Sequence, residues 1–116
     1  MYLDRRIDWL RNNVRYGEVE PHPSAIAQCR EVFRLLRDSD ADPALRLPHV
    51  TTTGGGELIC EWYGDGRDLI GDFMPDGTTG FAKVYNETDA DDSEAKAAPE
   101  AEDWAEAFRW LSGKEI

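Results

Sequence analysis

Long apolar runs are missing from this sequence. No stretch approaches the roughly 18 apolar residues that a membrane-spanning helix needs, which argues against a membrane protein. The opening residues, MYLDRRIDWLRNN, lack the continuous apolar core of a secretory signal, so the expected location is the cytoplasm. Cysteine is scarce: Cys29 and Cys60 form no C-x-x-C pair and read as two buried free thiols. Histidine is scarce too. His22 and His49 each neighbour a proline, with no thiol or carboxylate at ligand spacing, so no zinc site is expected. Neither G-x-S-x-G nor a phosphate loop occurs. The glycines at 54–56 run into a strand, so they lack the helix N-terminus of an anion site. No cofactor and no catalytic residue are expected.

Acid is what the chain has in excess. Its 116 residues carry 13 basic and 24 acidic side chains, net −11. Residues 1–46 hold eight arginines and eight acids, whereas residues 47–116 hold five bases and 16 acids. The whole excess therefore lies on the second part. Such a field repels nucleic acid and attracts basic protein surfaces.

The length suits one α+β domain, 1–116. Leu3, Ile7, Leu10 and Val14 recur on one helical face, predicting a helix over about 2–15. Pro23 and Ser24 start a second helix to about 38, with Ile26, Cys29, Val32, Phe33 and Leu36 as its apolar stripe. Arg30, Arg34 and Arg37 form a row on another face of it, read either as a solvated face or as a small anion-binding or docking ridge. Alternation predicts strands at about 57–63, 68–74 and 78–86, joined by turns at 64–66 and Pro75-Asp76-Gly77. A short strand near Pro48 to Thr52 makes the antiparallel meander three- to four-stranded. Residues 87–99 read as an acidic loop, and Trp104, Ala107, Phe108 and Leu111 predict a last helix over about 99–112.

The helices are expected on one face of the sheet, against Leu58, Cys60 and Trp62. The other face, with Glu61, Tyr63, Asp72 and Lys83, is expected to be partly solvated. Asp65, Asp68, Asp72 and Asp76 crowd the first hairpin, where paired carboxylates could run acid–base chemistry or hold a metal. Asp65 and Asp76, however, stand where turns favour aspartate. A calcium loop starting at Asp89 would put Asp91, Ser93 and Glu100 at ligand positions, but Glu94 stands where the sharp turn needs glycine. Neither reading is the expected one, and no metal ligand is assigned. A binding face remains: Tyr63 and Trp110 as aromatic anchors, with Glu61, Asp68, Asp72, Asp89, Asp91, Asp92 and Glu94 as the charges that choose the partner.

From Pro48 to Gly77, the pattern GGELICEWY, a leucine-containing strand and PDG, followed by a third strand and an acidic-to-helical tail, resembles a family of small bacterial and phage-borne proteins. The resemblance implies the β-meander and no activity, so no functional residue is carried over. GDF stands where that pattern has a more apolar strand. The expectation is a non-enzymatic acidic module that binds a basic partner, as inhibitors of the anti-CRISPR kind or antitoxins do, with homo-oligomerisation possible through the neutral first part. Two alternatives stand beside it. One is acidity as adaptation to a salty cytoplasm, consistent with three lysines against ten arginines. The other is a metal-dependent enzyme using Asp65, Asp68 and Asp72.

Overall fold

The computed structural model describes residues 2–38, 48–64, 66–85 and 94–112. Three helices and a five-stranded antiparallel sheet make an α+β fold. In chain order they are α1 (Tyr2–Asn12), α2 (Pro23–Asp38), β1 (His49–Thr51), β2 (Leu58–Tyr63), β3 (Arg67–Phe73), β4 (Thr79–Tyr85), β5 (Glu94–Ala97) and α3 (Ala101–Leu111). The strands lie side by side in sequence order, each antiparallel to the next.

The sheet has one strand more than the sequence suggests. The 87–99 segment, read as a loop, contains β5, whose residues EAKA have weak strand preference. Pairing with β4 from Gly80↔Ala97 to Lys83↔Glu94 supplies what local preference does not. Helix α1 is shorter than predicted and ends at Asn12. Two asparagines there are poor helix formers, and the Asn13 side chain donates to the Trp9 carbonyl at 2.7 Å. Val14, expected on the apolar stripe, is exposed.

Helices α2 and α3 meet the sheet through aromatic rings. Trp62 on β2 lies 6.0 Å from Phe33 of α2 and 5.3 Å from Phe108 of α3, ring centre to ring centre. Trp104 of α3 stacks on Phe73 of β3 at 5.9 Å and meets Phe81 of β4 at 4.9 Å. Successive strand residues point to opposite faces, so Trp62, Phe73 and Phe81 all sit on one of them. Gly71 stands between them for a reason of space. A Cβ there would lie 3.0 Å from Trp104 and 3.2 Å from Trp62, tighter than ordinary packing allows.

Helix α1 stands at the β1 edge. Arg6 Nε donates to the Val50 carbonyl at 2.8 Å, and the Tyr2 hydroxyl donates to that of Pro48 at 2.6 Å. These side chains occupy acceptors that an edge strand would otherwise present. Two of the three glycines at 54–56 are held by backbone bonds. The Val19 amide donates to Gly54 O at 2.7 Å and the His22 amide to Gly56 O at 2.8 Å.

Candidate binding face

Paired residues of an antiparallel ladder share a face, so the register lays out the open side of the sheet in three rows. One row runs His49, Glu61, Ile70, Ala82, Ala95. The next runs Thr51, Ile59, Asp72, Gly80, Ala97. A shorter one holds Tyr63, Asp68 and Val84. Every side chain along them is at least partly exposed, Tyr63 at 56%. Ile59, Ile70 and Val84 form an apolar floor, and β4 and β5 contribute only glycine, alanine and valine. Rows on one face recur about 6.6 Å apart along a strand, so Asp68 and Asp72 are separated by about 13 Å. That spacing spreads charge over a surface and does not focus it on one ion.

Charge is sorted by face. On β2, β3 and β4, the acids Glu61, Asp68 and Asp72 all take open-face positions. The bases Arg67 and Lys83 take positions on the helix-packed face. There they have partners in α3: the Arg67 guanidinium lies 5.3 Å from the Trp110 ring centre and Lys83 Nζ lies 5.5 Å from it. Arg67 also donates to the Trp110 carbonyl, a favourable place for a cation because helix C-termini carry partial negative charge.

Two sequence expectations need correction at this point. Lys83, expected on the solvated face, pairs with Leu69 and so lies on the packed one. Trp110, expected as an exposed anchor, is 2% exposed. It lies beside the main stripe of α3, but the end of that helix is wedged against Arg67 and Lys83, which cover the ring. A buried ring offers no surface to a partner.

The remaining expected residues fall into two groups. Glu61, Tyr63, Asp68 and Asp72 come together on the open face. Asp65, Asp89, Asp91 and Asp92 lie outside the described residues. Glu94 begins β5, its backbone opposite Lys83. Sequence reasoning missed His49 and Val84 as members of the face. The alternation of β2 and β3 already set Ile59 and Ile70 beside the acids, whereas His49 needed the β1 register.

Local bonding shapes these groups. The Tyr63 hydroxyl donates to Glu61, and that bond, helped by the charges of Glu61 and Asp68, raises the phenol above its ordinary pKa. One carboxylate oxygen of Asp68, Oδ1, is buried with no hydrogen-bond partner among the described residues. Burial raises the Asp72 carboxyl, and the negative charge of Glu57 adds to the effect. Glu57 is 8% exposed and accepts from the Thr53 amide at 2.5 Å and from the Thr53 and Thr52 hydroxyls. Burial pushes its carboxyl up, but those donors outweigh burial and hold it below the ordinary value. Asp76 is a turn residue, accepting from the Thr78 amide at 2.9 Å and its hydroxyl at 2.7 Å. Gly77, with φ +88°, takes the left-handed position beside it.

The arginine row of α2 is already matched to carboxylates. Arg30 meets Asp4 at 2.9 Å, Arg34 meets Glu31 and, at 3.5 Å, Asp38, and Arg37 meets Asp38 at 3.6 Å. All of these side chains are about half exposed, and such surface pairs contribute little to stability. Among the described residues, no group of three or more His, Cys, Asp or Glu is placed to hold a metal ion. No helix among them is long and apolar enough to cross a membrane. Comparison with family models, with curated proteins and with solved structures returned no match.

Proposed function

We propose that this protein is a small, non-enzymatic binding module whose open sheet face docks a basic surface of another protein. In this reading all three helices lie on the opposite side of the sheet and leave this face to the partner. The observation that carries it is the sorting of charge by face: three acids, an exposed tyrosine, an apolar floor and no Lys or Arg on any of the three rows. Tyr63 and the isoleucines supply contact area, and Glu61, Asp68 and Asp72 supply steering and choice of partner. The partner class that fits best is a nucleic-acid-processing protein, because its groove must be basic to hold phosphates. The module would then act as an inhibitor or neutraliser, in the manner of counter-defence proteins and antitoxins.

Salt adaptation alone does not account for the sorting, since solvation would serve equally well with acids on every exposed surface. The two readings part in a melting experiment. Strong stabilisation by about 2 M KCl would support salt adaptation, because screening is already complete at far lower ionic strength. The test of binding is affinity capture from the native host on immobilised wild-type protein and, in parallel, on the Glu61→Gln/Asp68→Asn/Asp72→Asn variant. A basic protein held by the wild type, lost by the variant and released by salt is the expected outcome. Equal capture by the two would sink the proposal.

A further inference from the structure

Cys29 on α2 and Cys60 on β2 stand 31 positions apart in sequence, yet their Sγ atoms lie 3.5 Å apart. They are the only cysteines of the chain. Both are free thiols, and both are fully buried. Nothing in the binding face uses them. Two thiols in contact across a helix–sheet interface are poised for one reaction that isolated thiols cannot perform. A disulfide needs its sulfurs about 2.05 Å apart, so the pair must approach by roughly 1.5 Å.

We propose that Cys29 and Cys60 are a latent internal cross-link, closed by a small-molecule disulfide, that fastens α2 to β2. In the first step the thiolate of one cysteine attacks a sulfur of the small disulfide, whose S–S bond breaks and releases one small thiol. The second cysteine then loses its proton and attacks the protein sulfur of the mixed disulfide. The Cys29–Cys60 bond forms and the second small thiol leaves. The protein has given up two electrons and two protons, and the oxidant carries them away as two thiols.

The fold decides when each step runs. Burial raises the Cys60 thiol well above its ordinary pKa, and the neighbouring Cys29 adds to this. Attack therefore belongs to moments when α2 opens from the sheet. As the interface recloses, a fully buried site has no room for a bulky adduct, while the second thiol returns to contact distance. The mixed disulfide is thus driven toward the internal bond. The cross-link closes a loop of about 30 residues that includes the α2–β1 connection, which restrains the unfolded chain.

The test uses the full chain with oxidised glutathione, in buffer and in urea below the unfolding midpoint. The intact mass should fall by about 2 Da, sooner in urea, and a non-reducing digest should join the Cys29 and Cys60 peptides. The Tm should rise by roughly 10 °C and return on adding dithiothreitol. Cys29→Ala and Cys60→Ala should instead stop at the glutathione adduct. A wild-type mass that never changes, a stable adduct on the wild type, or a cross-linked protein that melts no higher would each overturn the proposal. Should the alanine variants fail to fold, the wild-type mass and melt decide by themselves.

Discussion

The two faces of the sheet are built from the same strands, one residue out of step. On β2, Trp62 is buried among three aromatic rings, while Tyr63, its neighbour, is 56% exposed. On β3, Leu69 and Phe73 are buried, while Asp68 and Asp72 stand on the other side. A face under helices must be filled, and its residue choices follow from packing. The open face has no such demand, so its composition records something else. Nothing in sheet formation requires Glu61, Asp68 and Asp72 to share a side with Tyr63, or requires Arg67 and Lys83 to avoid it. This contrast, more than the net charge, is what supports the proposed binding role.

The contrast can be broken most severely at Trp62. Trp62→Ala removes the ring that α2 and α3 share, and a loss of about 3–5 kcal/mol is expected from urea unfolding. Tyr63→Ala, one position on, should change stability by no more than about 0.5 kcal/mol while weakening capture of the partner. Similar destabilisation by the two substitutions would show that the open face is packed too.

Gly71→Ala tests the packed face from the opposite direction. The added methyl would press on Trp104 and Trp62, and overpacking of this kind costs about 1–3 kcal/mol. The strand is extended here, so backbone strain is not the cause. A neutral effect in thermal unfolding would mean that the two tryptophans have room to move.

Much of the packed face could be read from the sequence, and much of its boundary could not. The alternation in LICEWY and DLIGDF names Leu58, Cys60, Trp62, Leu69 and Phe73, and all five are buried. The α2 bounds follow from Pro23 and from the poor helix formers after Asp38. Strand β5 was hidden because glutamate, alanine and lysine have little strand preference, and only β4 makes them a strand. Trp110 was misread because periodicity describes a single helix and not what stands against its end. The meeting of Cys29 with Cys60 depends on how α2 crosses β2, which no local pattern encodes. On the open face, Glu61, Tyr63, Asp68 and Asp72 were legible by alternation alone, whereas the sorting of bases to the other side required the β3–β4 register.

A smaller effect is expected at the join between the faces. Glu57 anchors the 52–57 turn through Thr52 and Thr53. Glu57→Gln keeps an acceptor but loses the charge, and should cost about 1 kcal/mol. Because donors hold the folded carboxyl below its ordinary pKa, its contribution is complete above the unfolded value. It is lost as pH falls through the folded one. The difference between wild type and Glu57→Gln should therefore shrink on acidification, as urea midpoints across the acid range can show.

Asp72 should behave in the opposite sense, with the smallest effect of the series. Burial and the nearby Glu57 charge raise its carboxyl, so the folded state binds this proton more tightly than the unfolded chain does. Stability then falls as pH rises from the unfolded pKa through the folded one, and the penalty is complete above both. Asp72→Asn should raise the urea midpoint slightly at neutral pH and leave it unchanged once the wild-type carboxyl is protonated. Since part of the shift comes from Glu57, the gain should be smaller in the Glu57→Gln background, a coupling that a double-mutant cycle reads directly. A carboxylate kept on an open face at some cost to stability fits the proposed binding surface. If Asp72→Asn instead lowered the neutral midpoint, Asp72 would be a structural residue, and the charge of the open face would owe that much less to a partner.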